Sequence, residues 1–145
     1  MLALDRSIPA DVAVEAIPVG LISYGLGPDA RIVDLAGLAD PVGGRLRLQH
    51  RGRPGHEKHL GDAWVIARLV DPATPVPPGV AAAAAVDAAR RAMTCGDLAD
   101  IVHAVSDPMT PSRFLQNLGV ALRTSGTRVP ADPTTAAHAF CPPRR

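Results

Sequence analysis

The sequence predicts an α/β fold class, with a small βαβ-type parallel sheet in the N-terminal half (residues 8–70) followed by a helical C-terminal half (residues 80–141). Short runs rich in Val and Ile flank a helix-like segment in the first half, whereas apolar residues recur at helical spacing in the second. A proline-rich linker, "DPATPVPPG" at 71–79, separates the halves. At 145 residues the chain has the length of one domain, so we expect residues 1–145 to form a single domain.

The βαβ unit is predicted from three consecutive segments. A β-like run, "VAVEAI", starts at Val12, Pro18 suits the first turn of a short helix, and a second β-like run, "ARIVDLAG", ends at Gly37. Because crossover connections are right-handed, the two strands are expected to be parallel, with the helix on one face. The glycines close this helix instead of opening it, which argues against a dinucleotide site.

Two aspartates follow the second β-like run. Asp34 lies near the carboxyl end of the predicted strand, where ligands of open α/β sheets bind. Asp40 lies six residues after Asp34 and is followed directly by Pro41. Both aspartates are therefore candidate ligand-binding residues. The alternative is that each carboxylate caps a neighbouring turn, and the sequence leaves this alternative open.

The segment from Arg45 to Lys58, here called the basic loop, concentrates positive charge. It holds five Lys and Arg residues against one glutamate, a net +4, whereas the rest of the chain sums to −3. Such a patch attracts anions, among them phosphates, carboxylates and acidic lipid headgroups, although a solvated loop is the simpler alternative. Nucleic acid is not an expected partner, because no aromatic residue that could stack on bases lies between Tyr24 and Trp64.

Within the basic loop, "RPGHEK" predicts a tight turn at Pro54 and Gly55. The turn would place the Arg53 guanidinium beside the His56 imidazole and the Lys58 ammonium, with Glu57 between the last two. A guanidinium that binds anions and an imidazole that titrates near neutral pH would then share one surface.

The remaining segments predict helices. "GDAWVIARLV" at 61–70 indicates a short helix capped by Asp62, with Trp64 as a core residue, although its β-branched content also allows a strand. In the C-terminal half, Thr110-Pro111 and "DPTTAAHAFC" at 132–141 each have a capping residue followed by proline, which is typical of a helix start. Gly96 is expected to end a helix.

The two cysteines, Cys95 and Cys141, leave two alternatives, free thiols in a reducing compartment or a disulfide in an oxidising one. Their spacing does not resemble a zinc site, and we expect neither a metal nor a cofactor. The sequence contains no apolar run long enough to span a membrane and no signal-like N-terminus, so we expect neither segment in this chain.

Several segments together resemble a known family. "IVDLAGLADPVGGRL", "RPGHEK", "AWVIARLV", "ARRAMTCGDLADIV", "PMTPSRFLQNL" and "RVPADPTTAAHAFC" are similar to the C-terminal extracytoplasmic domain of actinobacterial arabinofuranosyltransferases of the terminal β-(1→2) type, in the GT-C class. The resemblance extends from about residue 8 to residue 141. The combination of "GLADP" with "GHEK" is more specific than either motif alone.

The resemblance implies a role in cell-wall arabinan synthesis. Members of this class are membrane proteins that take a polyprenyl-phosphate sugar as donor, and their catalytic acidic residue lies in a membrane portion that this sequence lacks. The chain would lie on the extracytoplasmic face, where a Cys95–Cys141 disulfide is plausible, and would not be catalytic alone. We expect it to assist binding of the donor phosphate or of an arabinan-type acceptor, with an anionic membrane surface as a further partner. The candidate substrate-binding residues are Arg53, His56, Glu57, Lys58, Asp34 and Asp40.

Two other functions are compatible with the sequence. One is a non-enzymatic module that binds a cell-wall glycan or a partner protein, for which only Tyr24 and Trp64 offer large aromatic platforms other than phenylalanine. The other is a small cytoplasmic enzyme that uses Asp34, Asp40 and His56 for acid–base chemistry. Pairing of the two cysteines would argue against the cytoplasmic enzyme.

Overall fold

The computed structural model describes residues 13–16, 19–26, 31–76 and 78–142, and in this part the chain is mostly helical. The described residues form six α-helices, whereas their strands are limited to two segments of four residues. The predicted α/β fold class, with a parallel sheet in the N-terminal half, is therefore wrong. Helix packing, and not a sheet, organises the core.

The two strands, β1 (Ala13–Ala16) and β2 (Arg31–Asp34), flank the helix α1 (Val19–Leu26). They pair in parallel, with Ala13 opposite Arg31 and Ala16 opposite Asp34. No other described strand joins this pair, so it is too small to form a layer on which helices could pack. The predicted strand start at Val12 and the predicted helix start at Pro18 lie outside the described residues.

The helix α2 (Asp62–Leu69) confirms the helical interpretation of this segment over the strand. Asp62 is its first residue and not its cap, because the backbone of Gly61 takes the capping position. The Trp64 side chain is buried, as predicted, and its indole Nε1 donates a 2.9 Å hydrogen bond to the carbonyl of Ala131. This bond joins α2 to the segment before the last helix.

Four helices make up the C-terminal half: α3 (Ala83–Ala92), α4 (Gly96–Ser106), α5 (Pro111–Thr124) and α6 (Pro133–Phe140). The predicted starts of the last two are confirmed, since Thr110 Oγ1 accepts from Arg113 N at 3.1 Å and Asp132 Oδ1 from Thr135 N at 2.7 Å. A hydrogen bond from the Thr135 hydroxyl to the same carboxylate, together with this backbone bond, lowers the pKa of the Asp132 carboxyl. Gly96 begins α4 with a φ of +54° and does not end a helix, contrary to the prediction.

The core lies where α3 packs between α2 and α6. Small side chains on α3 and α6, such as Ala89 and Ala136, are fully buried there and allow the helices to approach closely. Cys95 and Cys141 form a disulfide with a Cα–Cα distance of 5.3 Å. It ties the end of α6 to the residue that precedes α4.

Candidate functional site

The loop after β2 is organised by the Asp34 carboxylate. Its Oδ1 accepts a hydrogen bond from Ala36 N at 3.0 Å, and its Oδ2 accepts one from Ala39 N at 2.7 Å. The backbone also turns here, because Gly37 N donates to the Asp34 carbonyl at 3.0 Å. The buried carboxylate thus satisfies backbone N–H groups that the irregular loop leaves without partners.

The Asp40 carboxylate also accepts hydrogen bonds from backbone N–H groups of this loop. Its Oδ1 accepts from Val42 N at 2.9 Å and from Gly43 N at 2.7 Å, at the start of a short 3₁₀ helix, Gly43–Arg45. Its Oδ2 forms an ion pair with the Arg68 guanidinium of α2. Burial lowers the pKa of Arg68, and the adjacent carboxylate neutralises the charge that this arginine retains. Both predicted aspartates therefore have internal partners.

Two glycines allow this loop to fold back on itself. Gly37 has a φ of +76°, and a Cβ built on it would lie 2.5 Å from the carbonyl carbon of Gly43. A Cβ built on Gly43 would in turn lie 2.7 Å from the Gly37 Cα. The two backbones touch, which explains why "GLADPVGG" has glycine at both ends.

We predict that Asp34→Asn lowers the free energy of unfolding by about 2 kcal/mol, because an amide replaces one of the two oxygen acceptors. Urea denaturation monitored by circular dichroism measures this loss. Asp62→Asn, at an exposed position, is the control and should cost less than about 1 kcal/mol. Unchanged stability of Asp34→Asn would contradict the structural role assigned to this carboxylate.

The basic loop leaves the core and returns to it between two buried leucines. At Leu46 the chain pairs with Val129, since Arg47 N donates to the Val129 carbonyl and Val129 N to the Arg45 carbonyl, both at 2.8 Å. At Leu60 the backbone N–H donates to the Leu35 carbonyl at 2.9 Å. The loop is therefore anchored at both ends, and most residues between these anchors are exposed.

The predicted tight turn in "RPGHEK" is confirmed. His56 N donates to the Arg53 carbonyl at 2.9 Å, and Gly55 has a φ of +80°. The Arg53 and His56 side chains are exposed at this turn. Lys58 is half-buried because its ammonium reaches back to donate to the Gly44 carbonyl.

Three cations line one cleft of about 510 Å³, which also includes Asp40 and is here called the cationic cleft. They are Arg45, Lys58 and Arg128. The guanidinium of Arg45 donates to the Pro41 carbonyl at 3.3 Å, which restrains this side chain at the edge of the cleft. Asp40 is the only carboxylate among the lining residues, and Arg68 already neutralises it. The cleft therefore presents an uncompensated positive potential.

The structure brings together some of the predicted site residues and separates others. Lys58 and Asp40 line the cationic cleft, and Glu57 shares with Lys58 a neighbouring cleft of about 270 Å³. Arg53 and His56 lie at the exposed turn and line neither of these two clefts. The substrate-binding role of the six candidates remains a prediction.

Arg128 is not among the site residues that the sequence predicts. It follows Lys58 by 70 positions, so no local charge pattern links the two. The available signal was the motif "RVPADP", which starts at Arg128. Among the residues that the structure describes, no group of three or more His, Cys, Asp or Glu side chains is placed to hold a metal ion.

Comparison with known proteins identifies the class to which this domain belongs. Residues 6–138 match the AftB family C-terminal domain, and the chain belongs to this family. The resemblance noted in the sequence is thereby confirmed. No solved structure matches the chain significantly.

Two curated relatives carry the name terminal β-(1→2)-arabinofuranosyltransferase. The protein from Corynebacterium glutamicum is 31% identical over 111 residues, or 77% of this chain. The protein from Mycobacterium tuberculosis is 31% identical over 103 residues, or 69% of this chain. In each case the match spans only 16% of the relative's length. None of the helices in the described ranges has the length and apolar character needed to cross a bilayer.

Proposed function

We propose that this chain is the C-terminal domain of a larger arabinofuranosyltransferase and that its cationic cleft binds the phosphate of a polyprenyl-phosphate sugar donor. The observation that carries the proposal is the convergence of Arg45, Lys58 and Arg128 on a cleft whose one carboxylate is neutralised. Both relatives are named as arabinofuranosyltransferases and are several times longer than the matched segment. The chemical step is assigned to the part of the protein outside this chain.

The cleft is suited to a phosphate because its cations are held before a ligand arrives. The Arg45 guanidinium and the Lys58 ammonium each donate to a loop carbonyl, which limits the side-chain entropy lost on binding. Charge-assisted hydrogen bonds from such groups to phosphate oxygens are stronger than neutral ones. In this proposal Asp34 and Asp40 hold the loop in place. Glu57 lines the neighbouring cleft, and Arg53 and His56 remain at the exposed turn.

The disulfide supports placement of the domain on the extracytoplasmic face. Disulfides persist in oxidising compartments and are rare in the cytoplasm. The pairing of Cys95 and Cys141 therefore disfavours the alternative of a cytoplasmic enzyme. The internal partners of Asp34 and Asp40 also disfavour that alternative, since it requires those carboxylates for acid–base chemistry.

The test replaces the matched segment of the Corynebacterium relative with this chain and measures transfer as a function of donor concentration. We expect Lys58→Ala with Arg128→Ala to raise KM for the donor by at least about tenfold, because each lost charge-assisted contact costs about 1.5 kcal/mol or more. Arg51→Ala removes an exposed charge of the same loop and serves as the matched control. Arg53→Ala tests the turn separately from the cleft.

The proposal fails if the double variant keeps the donor KM of the parent chimera while the chimera itself is active. An effect of Arg53→Ala in the absence of an effect of the double variant would move the donor site to the turn. Circular dichroism of each isolated variant domain shows whether a change in KM reflects loss of the fold.

Acceptor binding is the second candidate, and one exposed aromatic residue favours it. Tyr24 on α1 is 89% exposed, and sugar rings stack on such side chains. Trp64, the other predicted platform, is buried and does not contribute. Binding of arabinan oligosaccharides to the isolated chain without any lipid donor, lost in Tyr24→Ala, would indicate a glycan-binding module.

A further inference from the structure

The helix α5 exposes most of its apolar side chains. Phe114, Leu115, Leu118 and Leu122 are all exposed, the last at 80%. Leu118 and Leu122 follow Phe114 at intervals of four residues, and Leu115 precedes Leu118 by three, so the four form one stripe along the helix. The only buried residue of α5 is Thr124, near its end.

The polar side of α5 makes the contacts with the rest of the domain. Arg113 forms an ion pair with Asp107, which follows α4, and Asn117 Nδ2 donates to the Ala104 carbonyl at 2.8 Å. Arg123 forms an ion pair with Asp100 of α4. An ordinary surface helix packs its apolar side inward and turns its polar side to water. In α5 the arrangement is reversed, so the apolar stripe is not required for packing on α4.

The stripe meets a different surface at each end. Before the helix, Met109 is also exposed and lines with Phe114 and Leu115 an open depression of about 520 Å³. After the helix, Ser125 is bonded through its hydroxyl to the Leu122 carbonyl and lines the cationic cleft. The helix that carries the stripe therefore ends at a surface that carries three cations.

The cationic cleft itself combines positive charge with exposed apolar groups. Leu38 and Val105 line it beside Arg45, Lys58 and Arg128, and both apolar side chains are more than half exposed. Apolar side chains flanked by cations are typical of surfaces that lie in the interface of an anionic bilayer. On surfaces of this kind, acyl chains surround the apolar groups and headgroup phosphates pair with the cations. One occupant thus accounts for both parts of the surface.

We propose that α5 lies in the interface of an anionic lipid bilayer, with Leu115, Leu118 and Leu122 inserted among the acyl chains and the cations of the cleft bound to headgroup phosphates. The apolar stripe lies outside the proposed donor site. The two proposals share only the cations of the cleft. It holds for the domain by itself, whatever sugar the full-length protein transfers. The orientation that results turns the cationic cleft toward the membrane.

The test measures co-sedimentation of the 145-residue chain with lipid vesicles. We expect binding to vesicles that contain phosphatidylglycerol and weak binding to pure phosphatidylcholine. Leu115→Gln with Leu122→Gln should reduce the bound fraction at least about fivefold, since it removes the two most exposed side chains of the stripe. Gln116→Ala, at an exposed position of the same helix, should bind as the parent does.

Three further measurements separate this proposal from others. The Leu115→Gln, Leu122→Gln variant should keep the thermal unfolding temperature of the parent, because both side chains are exposed, and in the chimera it should keep the donor KM. Light scattering reports whether the chain forms a dimer that the variant dissociates. Absence of vesicle binding, vesicle binding that the variant does not reduce, or such a dimer without vesicle binding would each overturn the proposal.

Discussion

Replacement of Cys95 and Cys141 together by alanine is expected to lower the free energy of unfolding by about 4 kcal/mol. The disulfide joins residues 46 positions apart, and the entropy that this closed loop removes from the unfolded chain sets the size of the effect. The loop contains α4, α5 and α6. Loss of the bond therefore frees most of the C-terminal half in the unfolded chain.

Denaturation in urea, with the midpoint and the slope both fitted, measures this effect. Reduction of the unmodified chain should give the same loss of stability, which separates the bond from the side chains that alanine replaces. Thr94→Ala, which changes the exposed neighbour of Cys95, should leave stability within about 0.5 kcal/mol. A loss below about 1 kcal/mol in both the reduced chain and the double variant would contradict the role assigned to the disulfide.

Gly37→Ala is expected to be the most damaging single substitution in the loop that supports the cationic cleft, with a loss of at least about 3 kcal/mol. The backbone there has a φ of +76°, which L side chains rarely adopt. The added Cβ would also lie within 3.0 Å of three backbone atoms of Gly43. Backbone atoms cannot move aside as a flexible side chain can, so the contact between the two loop segments must open.

The matched control for this prediction is Gly119→Ala on α5. A Cβ at Gly119 meets nothing within 4 Å, and alanine favours a helix over glycine, so this variant should be as stable as the parent or slightly more stable. Thermal unfolding of the two variants compares them directly. We expect Gly37→Ala also to reduce binding at the cationic cleft, because Gly44 packs on Gly37 and lies beside Arg45 and Lys58. Equal stability of the two variants would contradict the prediction.

The fold class was wrong because the first half of the chain does not continue its β structure. The runs rich in Val and Ile predict strands, and strands occur at Ala13–Ala16 and Arg31–Asp34. After Asp34, however, carboxylate caps and glycines replace a further strand with an irregular loop. Local patterns indicate that a segment is extended, but they do not determine how many strands pair into a sheet.

Helix starts were predicted more reliably because their signals are local. A side-chain oxygen and a proline in consecutive positions are enough to start a helix, as at Thr110-Pro111 and Asp132-Pro133. The turn at Pro54-Gly55 is equally predictable, since the turn requires a positive φ and glycine permits it. Gly96 does not end a helix as predicted, because a glycine with positive φ can lie either after one helix or before the next in a short connection.

The residues of the cationic cleft are predicted only in part, because they come from segments that are distant along the chain. The excess of positive charge in the basic loop is a property of the sequence, but the loop's own residues do not determine which of those charges share a cleft. The capping roles of Asp34 and Asp40 were open alternatives, and the hydrogen bonds of the folded chain provide each with internal partners. The convergence of Lys58 with Arg128 depends on contacts between distant segments.

The amino-acid sequence by itself determined the family, the starts of α5 and α6, the tight turn and the concentration of charge, because each is carried by residues that are neighbours along the chain. Only the tertiary structure decided that Arg128 joins Lys58 and that α5 turns its apolar stripe outward. The pairing of Leu46 with Val129 places Arg128 beside the loop, and the hydrogen bond from Lys58 to the Gly44 carbonyl places Lys58 there. The ion pairs of Arg113 and Arg123 orient the helix. Such long-range contacts form only when the whole chain packs, so no local pattern encodes them.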